Sequence, residues 1–317
     1  MATMNYQLIV AVLFLSGSMV GAEHAVSFKH GIGRVEVEMA GEPLTSFYHG
    51  AEWDKPFLHP LRTLSGIVVT RGFPVEKIEG ETTDHLWHRG LWYGYEDING
   101  VDFWRELGED KTGRIVSRSS PTTTTNRHSG TLSADLLLIT PKRKVLGTLR
   151  EEFTFFASGD NFLIDARVTL SADRGVSLKM GDAEDGGFAL RLADWFRQDR
   201  GAVLLNSNGL VGTENIWGKR ARWVDYSTTL KRQKVGVAMF DHPRNPQHPT
   251  YWHARGRGSC VANPFGARAF LGDKSQDGSM TIPPGSRLEL RYRVVVHPGD
   301  AREADLERLY TDYVEGR

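Results

Sequence analysis

Apolar and polar residues alternate over most of this chain. Phe162, Ile164, Ala166, Val168 and Leu170 are separated by Leu163, Asp165, Arg167 and Thr169. Leu288, Leu290, Tyr292, Val294 and Val296 alternate with Glu289, Arg291, Arg293 and Val295. Successive residues of a strand face opposite sides of its sheet, so a period of two predicts half-buried antiparallel strands. Weaker runs of the same kind predict strands at Arg34–Glu38, Gly66–Thr70, Gly90–Tyr95, Thr131–Thr140, Val145–Phe156, Phe188–Leu192, Ala202–Leu205, Arg222–Tyr226, Val235–Phe240, Thr250–Ala254 and Ser279–Ile282. Turn residues separate them at roughly the ~8–12-residue spacing of a sandwich or barrel. Ser119–Asn126 reads as a polar loop. Helical spacing occurs once with conviction, in Ala301–Val314, where Leu306, Leu309, Tyr310 and Tyr313 share a face. Asp300 followed by Glu303 supplies an N-cap pattern ahead of it. The pattern predicts an all-β chain, a large antiparallel β-sandwich with one C-terminal helix. Two stacked β-domains are the alternative.

The N-terminal segment breaks the alternation. Leu8–Leu15 is an unbroken apolar run, followed by Ser16, Gly17 and Ser18 and then Val20-Gly21-Ala22. This resembles a signal peptide cleaved near Ala22, although no Lys or Arg precedes the run. Residues 1–22 are then a leader, residues 23–317 a single β-domain, and the protein is periplasmic or secreted. A buried N-terminal strand or helix is the other reading. No later stretch reaches the ~18–20 apolar residues of a membrane span.

Composition narrows the partners. The chain of 317 residues carries 39 Lys+Arg against 39 Asp+Glu. A net charge of zero argues against nucleic acid, whose affinity depends on an excess of cations. One cysteine excludes an intramolecular disulfide and any CxxC site, and Cys260 sits in what reads as a core strand. No serine-hydrolase, zincin, P-loop or dinucleotide motif is present.

Three segments gather chemistry. Asp84-His85-Leu86-Trp87-His88-Arg89 packs two imidazoles, an acid, a cation and an indole just before a strand that holds Trp92. In a loop, His85 and His88 can converge on one ligand or metal; in a strand they face opposite sides. Imidazole suits proton transfer near neutral pH. Asp241-His242-Pro243 to Pro249-Thr250-Tyr251-Trp252-His253 is a proline-stiffened loop entering a strand on which Tyr251 and His253 share one face. Gly181 to Arg191 sets Asp182, Glu184 and Asp185 before a glycine pair, with Arg191 interrupting the apolar strand that follows. Arg62 is a further candidate cation. Against each stands a bland alternative: satisfied histidines, a stiff connection and a solvated acidic turn.

Several motifs together carry a resemblance. They are His59-Pro60-Leu61-Arg62 with Ser65-Gly66, Asp84 to Leu91, Asn99-Gly100-Val101-Asp102-Phe103-Trp104, Arg222 to Tyr226, the proline-rich segment, Asn263-Pro264-Phe265-Gly266 and His297-Pro298-Gly299-Asp300. In this order the chain resembles a family of exported bacterial proteins labelled PmoA-like. That family is distantly similar to galactose-mutarotase-like supersandwich enzymes. The resemblance implies a β-supersandwich and a role in carbohydrate breakdown. It also implies a His acid and a carboxylate base, matching His85 or His88 with Glu184 or Asp185. The family often has Glu before the glycine pair, whereas Asp185 stands here. Methane oxygenase activity is argued against, because its membrane subunit needs several apolar spans.

The expectation is a sugar- or glycoside-processing enzyme working by hydrolysis, elimination or mutarotation. Arg62, Asp84, Arg89, Arg191, His242, Tyr251 and His253 would bind the substrate, and Trp87 or Trp92 would stack on it. No cofactor is called for. The alternatives are a non-catalytic carbohydrate-binding protein with an exposed aromatic strip, and a site for a divalent metal held by His85, His88 and a His of the proline-rich loop. Oligomeric state stays open.

Overall fold

The two clearest alternating runs lie side by side. Phe162 pairs opposite Val296 and Leu170 opposite Leu288 in an antiparallel ladder. Phe162, Ile164, Val168, Leu290, Tyr292 and Val294 turn to the main core, while Leu163 and Val295 turn to the opposite face. The alternation in the sequence is therefore that of a core face and a second face that is polar at Asp165, Arg167, Glu289 and Arg291 and buried at Leu163 and Val295.

The computed structural model describes residues 25–316. The expected signal peptide, residues 1–22, lies outside them. Along the chain come β1 (Val26–Gly31), β2 (Arg34–Met39), β3 (Glu42–Tyr48), β4 (Phe57–His59), β5 (Leu91–Tyr95), β6 (Arg114–Ser117) and β7 (Thr122–Thr125). Then follow β8 (Ser129–Ile139), β9 (Val145–Ser158), β10 (Asn161–Ser171), β11 (Leu178–Met180), β12 (Gly186–Arg191) and β13 (Val203–Asn206). The last are β14 (Trp223–Leu230), β15 (Gln233–Asp241), β16 (Tyr251–Arg255), β17 (Ser259–Asn263), β18 (Met280–Ile282) and β19 (Arg287–Pro298). Short helices α1 (Thr213–Ile216) and α2 (Ala267–Leu271) are inserted, and α3 (Leu306–Glu315) closes the chain.

The first sheet has the order β1-β2-β3-β4-β5-β12-β17-β16. The second has the order β13-β14-β15-β19-β10-β9-β8-β6, with β7 also paired to β8. All neighbours are antiparallel, and β11 and β18 form a separate ribbon. The sheets face each other across one core. Phe188 of the first sheet stacks on Tyr292 of the second, with ring centroids 4.9 Å apart and planes 3° from parallel. This is the predicted all-β antiparallel sandwich.

The two outer faces are finished differently. On the second sheet, Leu163, Trp223, Phe240 and Val295 are covered by Leu306, Leu309, Tyr310 and Tyr313 of α3. On the first sheet, Phe57, Trp92, Trp104, Ala189 and Val261 form an aromatic patch, with Trp53 and Trp87 packed against it. The second patch lies beside the site described below. No helix among the described residues is long and apolar enough to cross a membrane.

Local expectations shift at three places. Asp300 and Glu303 do exchange capping bonds: the Asp300 carboxylate accepts from the Glu303 N–H at 3.0 Å, and the Glu303 carboxylate from the Asp300 N–H at 2.9 Å. They cap a run of turns over 301–305, however, and α3 begins only after Asp305, whose φ of 52° interrupts the helical path. Thr122–Thr125, read as polar loop, is an edge strand paired with 130–133 of β8. Gly66–Thr70 is no strand, only two isolated bridges.

Candidate active site

The outer face of β5, β12, β17 and β16 carries the chemistry because of strand period two. Leu190, Cys260 and Ala254 turn inward to the core. The residues between them turn outward: Arg191 on β12, Ser259 on β17, His253 and Arg255 on β16. The expected sharing of one face by Tyr251 and His253, with Trp252 in the core on the other, is what the strand shows. Two glycines let the strands meet closely. A Cβ on Gly90 (φ +49°) would lie 2.0 Å from the Leu58 carbonyl oxygen, and one on Gly187 (φ +122°) 2.0 Å from that of Ala262. Only glycine fits such approaches. They seat the Asp84–Arg89 loop and the Glu184–Asp185 turn on neighbouring strands.

Together they form a cleft of about 820 Å³. It is lined by Asp84, His85, His88, Glu184, Asp185, Arg191 and His253, and also by Gln198, Asp199, Thr213, Arg255, Arg257 and Ser259.

Asp84 organises one wall. Its Oδ1 accepts from Arg71 at 2.5 Å and from Arg191 at 2.8 Å, and its Oδ2 lies 2.6 Å from Nδ1 of His85. Burial pushes the Asp84 carboxyl up, but Arg191, His85 and Arg71 outweigh it and hold the group below the usual carboxylate range. A carboxylate only accepts, so Nδ1 of His85 carries the proton. That leaves Nε2 for the cleft, which the half-exposed imidazole lines. The fully buried Arg71 also donates to the carbonyls of His85 (3.0 Å) and His88 (3.2 Å), which fixes the loop. His88 stacks on His85 at 4.8 Å and tilts against Trp92 at 5.2 Å. Both its ring nitrogens are buried without a partner. Burial, with Arg191, His85 and Arg71 nearby, drives its pKa well down, so it stays neutral.

The other wall is acidic. Asp185 accepts from Arg105 at 2.7 Å, and burial raises its pKa above the ordinary aspartate value against the pull of Arg105. Glu184 is held by Arg255 at 2.8 Å. Nε2 of His253 accepts from Nε of Arg255 at 2.9 Å. Arginine only donates, so the His253 proton sits on Nδ1, 3.5 Å from Asp185 Oδ1. Burial and then Arg255 push the pKa of His253 down to about 4. Burial brings Arg191 down to about 10.

His85, His88, Asp84, Glu184, Asp185, Arg191 and His253 thus meet in one cleft, as expected. Six predicted binders do not line it. Arg62 lines a separate small groove with Glu76 and Tyr48. Arg89 is buried, its guanidinium forked onto Glu106 and lying 4.6 Å over Trp53. Trp92 is 1% exposed, sealed against Trp104, and offers no ring face to a ligand. Trp87 packs edge-on against His85 at 5.5 Å and braces that ring instead. His242 lies edge-on to Tyr313 at 5.0 Å, in a groove on the other sheet. Tyr251 stacks on Phe270 at 5.6 Å. The metal expectation meets a related obstacle. His248 is tied to Asp241 at 2.7 Å and His242 to the other sheet, so of the three His in that segment only His253 reaches the cleft, where its Nε2 accepts from Arg255 at 2.9 Å. Among the described residues no three His, Cys, Asp or Glu side chains are grouped to hold a metal ion.

Sequence reading missed Arg71, Arg105, Gln198, Thr213, Arg255 and Arg257. Arg255 was within reach, since period two from His253 puts it on the same face. Arg71 and Arg105 carry no local signal; they matter only through the distant acids they hold.

Residues 34–311 match a family of unknown function (DUF6807), and the chain belongs to that family. The match carries that description, not the PmoA-like label. No curated protein matches the chain in sequence. Among solved structures, the chain is similar to the GH36 α-galactosidase AgaB of Geobacillus stearothermophilus, at 11% identity and a TM-score of 0.40. That match covers 88% of this chain and 42% of the α-galactosidase. A galactose mutarotase related enzyme of Lactobacillus acidophilus matches at 9% identity and a TM-score of 0.34, over 86% of this chain and 97% of its own. An α-galactosidase of Lactobacillus brevis matches at 8% identity and a TM-score of 0.37, over 90% of this chain and 40% of its own. The chain therefore spans less than half the length of either α-galactosidase.

Proposed function

We propose that this DUF6807 protein is a carbohydrate-processing enzyme whose acid–base pair is His85 and Asp185. The observation that carries the reading is the Asp84–His85 pair, opening onto a polar cleft whose other wall holds an aspartate of raised pKa. Asp84 fixes the His85 tautomer and stabilises its imidazolium, the role of the carboxylate in other Asp–His pairs. The doubly protonated ring, its Nδ1–H kept on Asp84, gives its Nε2 proton to a ring or anomeric oxygen and is left as the neutral Nδ1–H tautomer. Burial makes Asp185 a stronger base than a solvated aspartate, suited to taking a proton from the facing hydroxyl or carbon. His253 and Arg191 hold substrate hydroxyls, and His88 supports the His85 ring from below.

Mutarotation or elimination is favoured over hydrolysis. Hydrolysis needs two working carboxyls at a defined separation, whereas the group set against Asp185 in this cleft is the His85 imidazole. The binding-protein reading requires an exposed aromatic strip, and Trp92 and Trp104 are buried. The leader-like run extends the proposal to the periplasm or cell exterior, with a mature N-terminus at Glu23 as the outcome of N-terminal sequencing. The activity test is a panel of aldoses, uronates and their oligosaccharides, followed by NMR for anomer exchange and for unsaturated products. One of these reactions is expected in the wild type and lost in both His85→Ala and Asp185→Asn. Wild-type inertness across the panel, or full activity of the variants, overturns the proposal.

A further inference from the structure

The acids that line the cleft are already matched. Asp84 is held by Arg71 and Arg191, Asp185 by Arg105, Glu184 by Arg255, and Asp199 by Arg197. One cation is left over. Arg257 lines the cleft, is exposed, and makes no ion pair with any described residue. A second donor is also unspent: Nε of Arg191 is buried with no hydrogen-bond partner.

Arg257 stands on a fixed support. It sits at the tip of the β16–β17 hairpin, which closes through the Gly258 N–H to the Arg255 carbonyl at 3.0 Å. The neighbouring Gly256 carbonyl accepts from the Gln198 N–H at 2.7 Å. Arg255 is already engaged, by Glu184 at 2.8 Å, by His253 at 2.9 Å and over Trp217 at 4.7 Å. The cleft also carries neutral Gln198, Thr213 and Ser259, and its Asp199 carboxylate is taken by Arg197 at 2.9 Å. Thr213 is itself locked, its hydroxyl donating to the Ala254 carbonyl at 2.8 Å. The exposed guanidinium is hydrated in the free cleft, and an anionic substituent would replace that water at a fork made for carboxylate-like geometry.

We propose that the sugar bound here carries one anionic substituent, a carboxylate or a sulfate ester, held by Arg257. This rests on the sugar-site reading and names its substrate class. The test is calorimetric titration of the full protein with glucuronate and galacturonate, their methyl esters, the parent aldoses and the aldose 6-sulfates. The charged sugars should bind about tenfold more tightly than the uncharged ones, the worth of one charge-assisted hydrogen bond. Arg257→Gln should bring the charged sugars down to the affinity of the esters. A preference for uronates identifies a carboxylate as the source, and a preference for the sulfates identifies an ester. Equal binding of charged and neutral sugars overturns the anionic class while leaving the sugar site standing. So does a preference that survives Arg257→Gln. No binding by any member overturns both.

Discussion

Two Asp–His pairs in this molecule look alike on paper and do different work. Asp84 holds His85 at 2.6 Å, and Asp241 holds His248 at 2.7 Å. Asp241 is completely buried, and its remaining acceptor sites go to the Asn245 side chain at 2.7 Å and the Thr250 N–H at 2.8 Å. Asn245 in turn bonds the Arg291 backbone in both directions. That pair is a brace, fastening the proline-rich loop to β19. A third pair, Asp225 with His297 at 3.0 Å, is sealed inside the fold with neither side chain exposed. Asp84 spends its other acceptor on two arginines, and its histidine is 48% exposed at the mouth of a cleft. The contact distance does not separate these cases. What separates them is which ring lines the cleft and whether the spare lone pairs of the aspartate hold neutral amides or charge.

The largest effect on stability is expected at the brace. Asp241→Ala strands His248, Asn245 and the Thr250 N–H in a buried setting, and should cost about 3–5 kcal/mol of stability. Urea unfolding measures the loss, and whatever protein stays folded should retain its turnover. At the open pair the pattern inverts. His85→Ala removes a half-exposed ring with a single hydrogen bond, so stability should change by only about 1 kcal/mol. Turnover should fall by roughly 10²–10⁴-fold, the worth of a general acid. Equal stability losses at the two sites would erase the distinction.

The pH dependence of stability sharpens it from the buried side. His253 and His59 are both brought down to about 4, His253 by burial and Arg255 and His59 by burial and Arg62. An unfolded imidazole protonates near ~6.5, so between about 6.5 and 4 the unfolded chain binds more protons than the folded one. Stability should be complete above that window and fall as the pH drops through it. His253→Gln should flatten part of the slope in unfolding midpoints measured across the window. The smallest effect belongs to His248→Gln. It should cost about 1 kcal/mol through one weakened hydrogen bond, with turnover preserved.

Much of the fold was written in the alternation, because one face of β10 and β19 is buried in the core and a one-residue slip would turn its apolar residues to the polar side. The strand at Thr122–Thr125 was hidden. Its four threonines carry no apolar signal, and the segment is ordered by the ladder it joins at the sheet edge. The start of α3 was misplaced because the capping residues are real but serve the turns before the helix. For the site, local composition found the right loops but could not order the strands. β5 and β12 are hydrogen-bonded neighbours although some ninety residues separate them in sequence. That pairing sends Arg191 and the Glu184–Asp185 turn toward His85. The same long-range ordering sends Arg62 and His242 to other grooves. Trp92 failed as a stacking platform for a local reason: the outward face of β5 is roofed by Trp104, which a later loop brings in.

One histidine-bearing region of the molecule is open for chemistry and the other closed for support, and this difference has a direct readout. It is tested most directly by following the side-chain imidazole resonances by NMR while titrating the uronates and their methyl esters into the full protein. Saturable shifts are expected at His85 and His253, with His242, His248 and His297 unmoved. Shifts centred on His242 or His248, or none at His85, would contradict it.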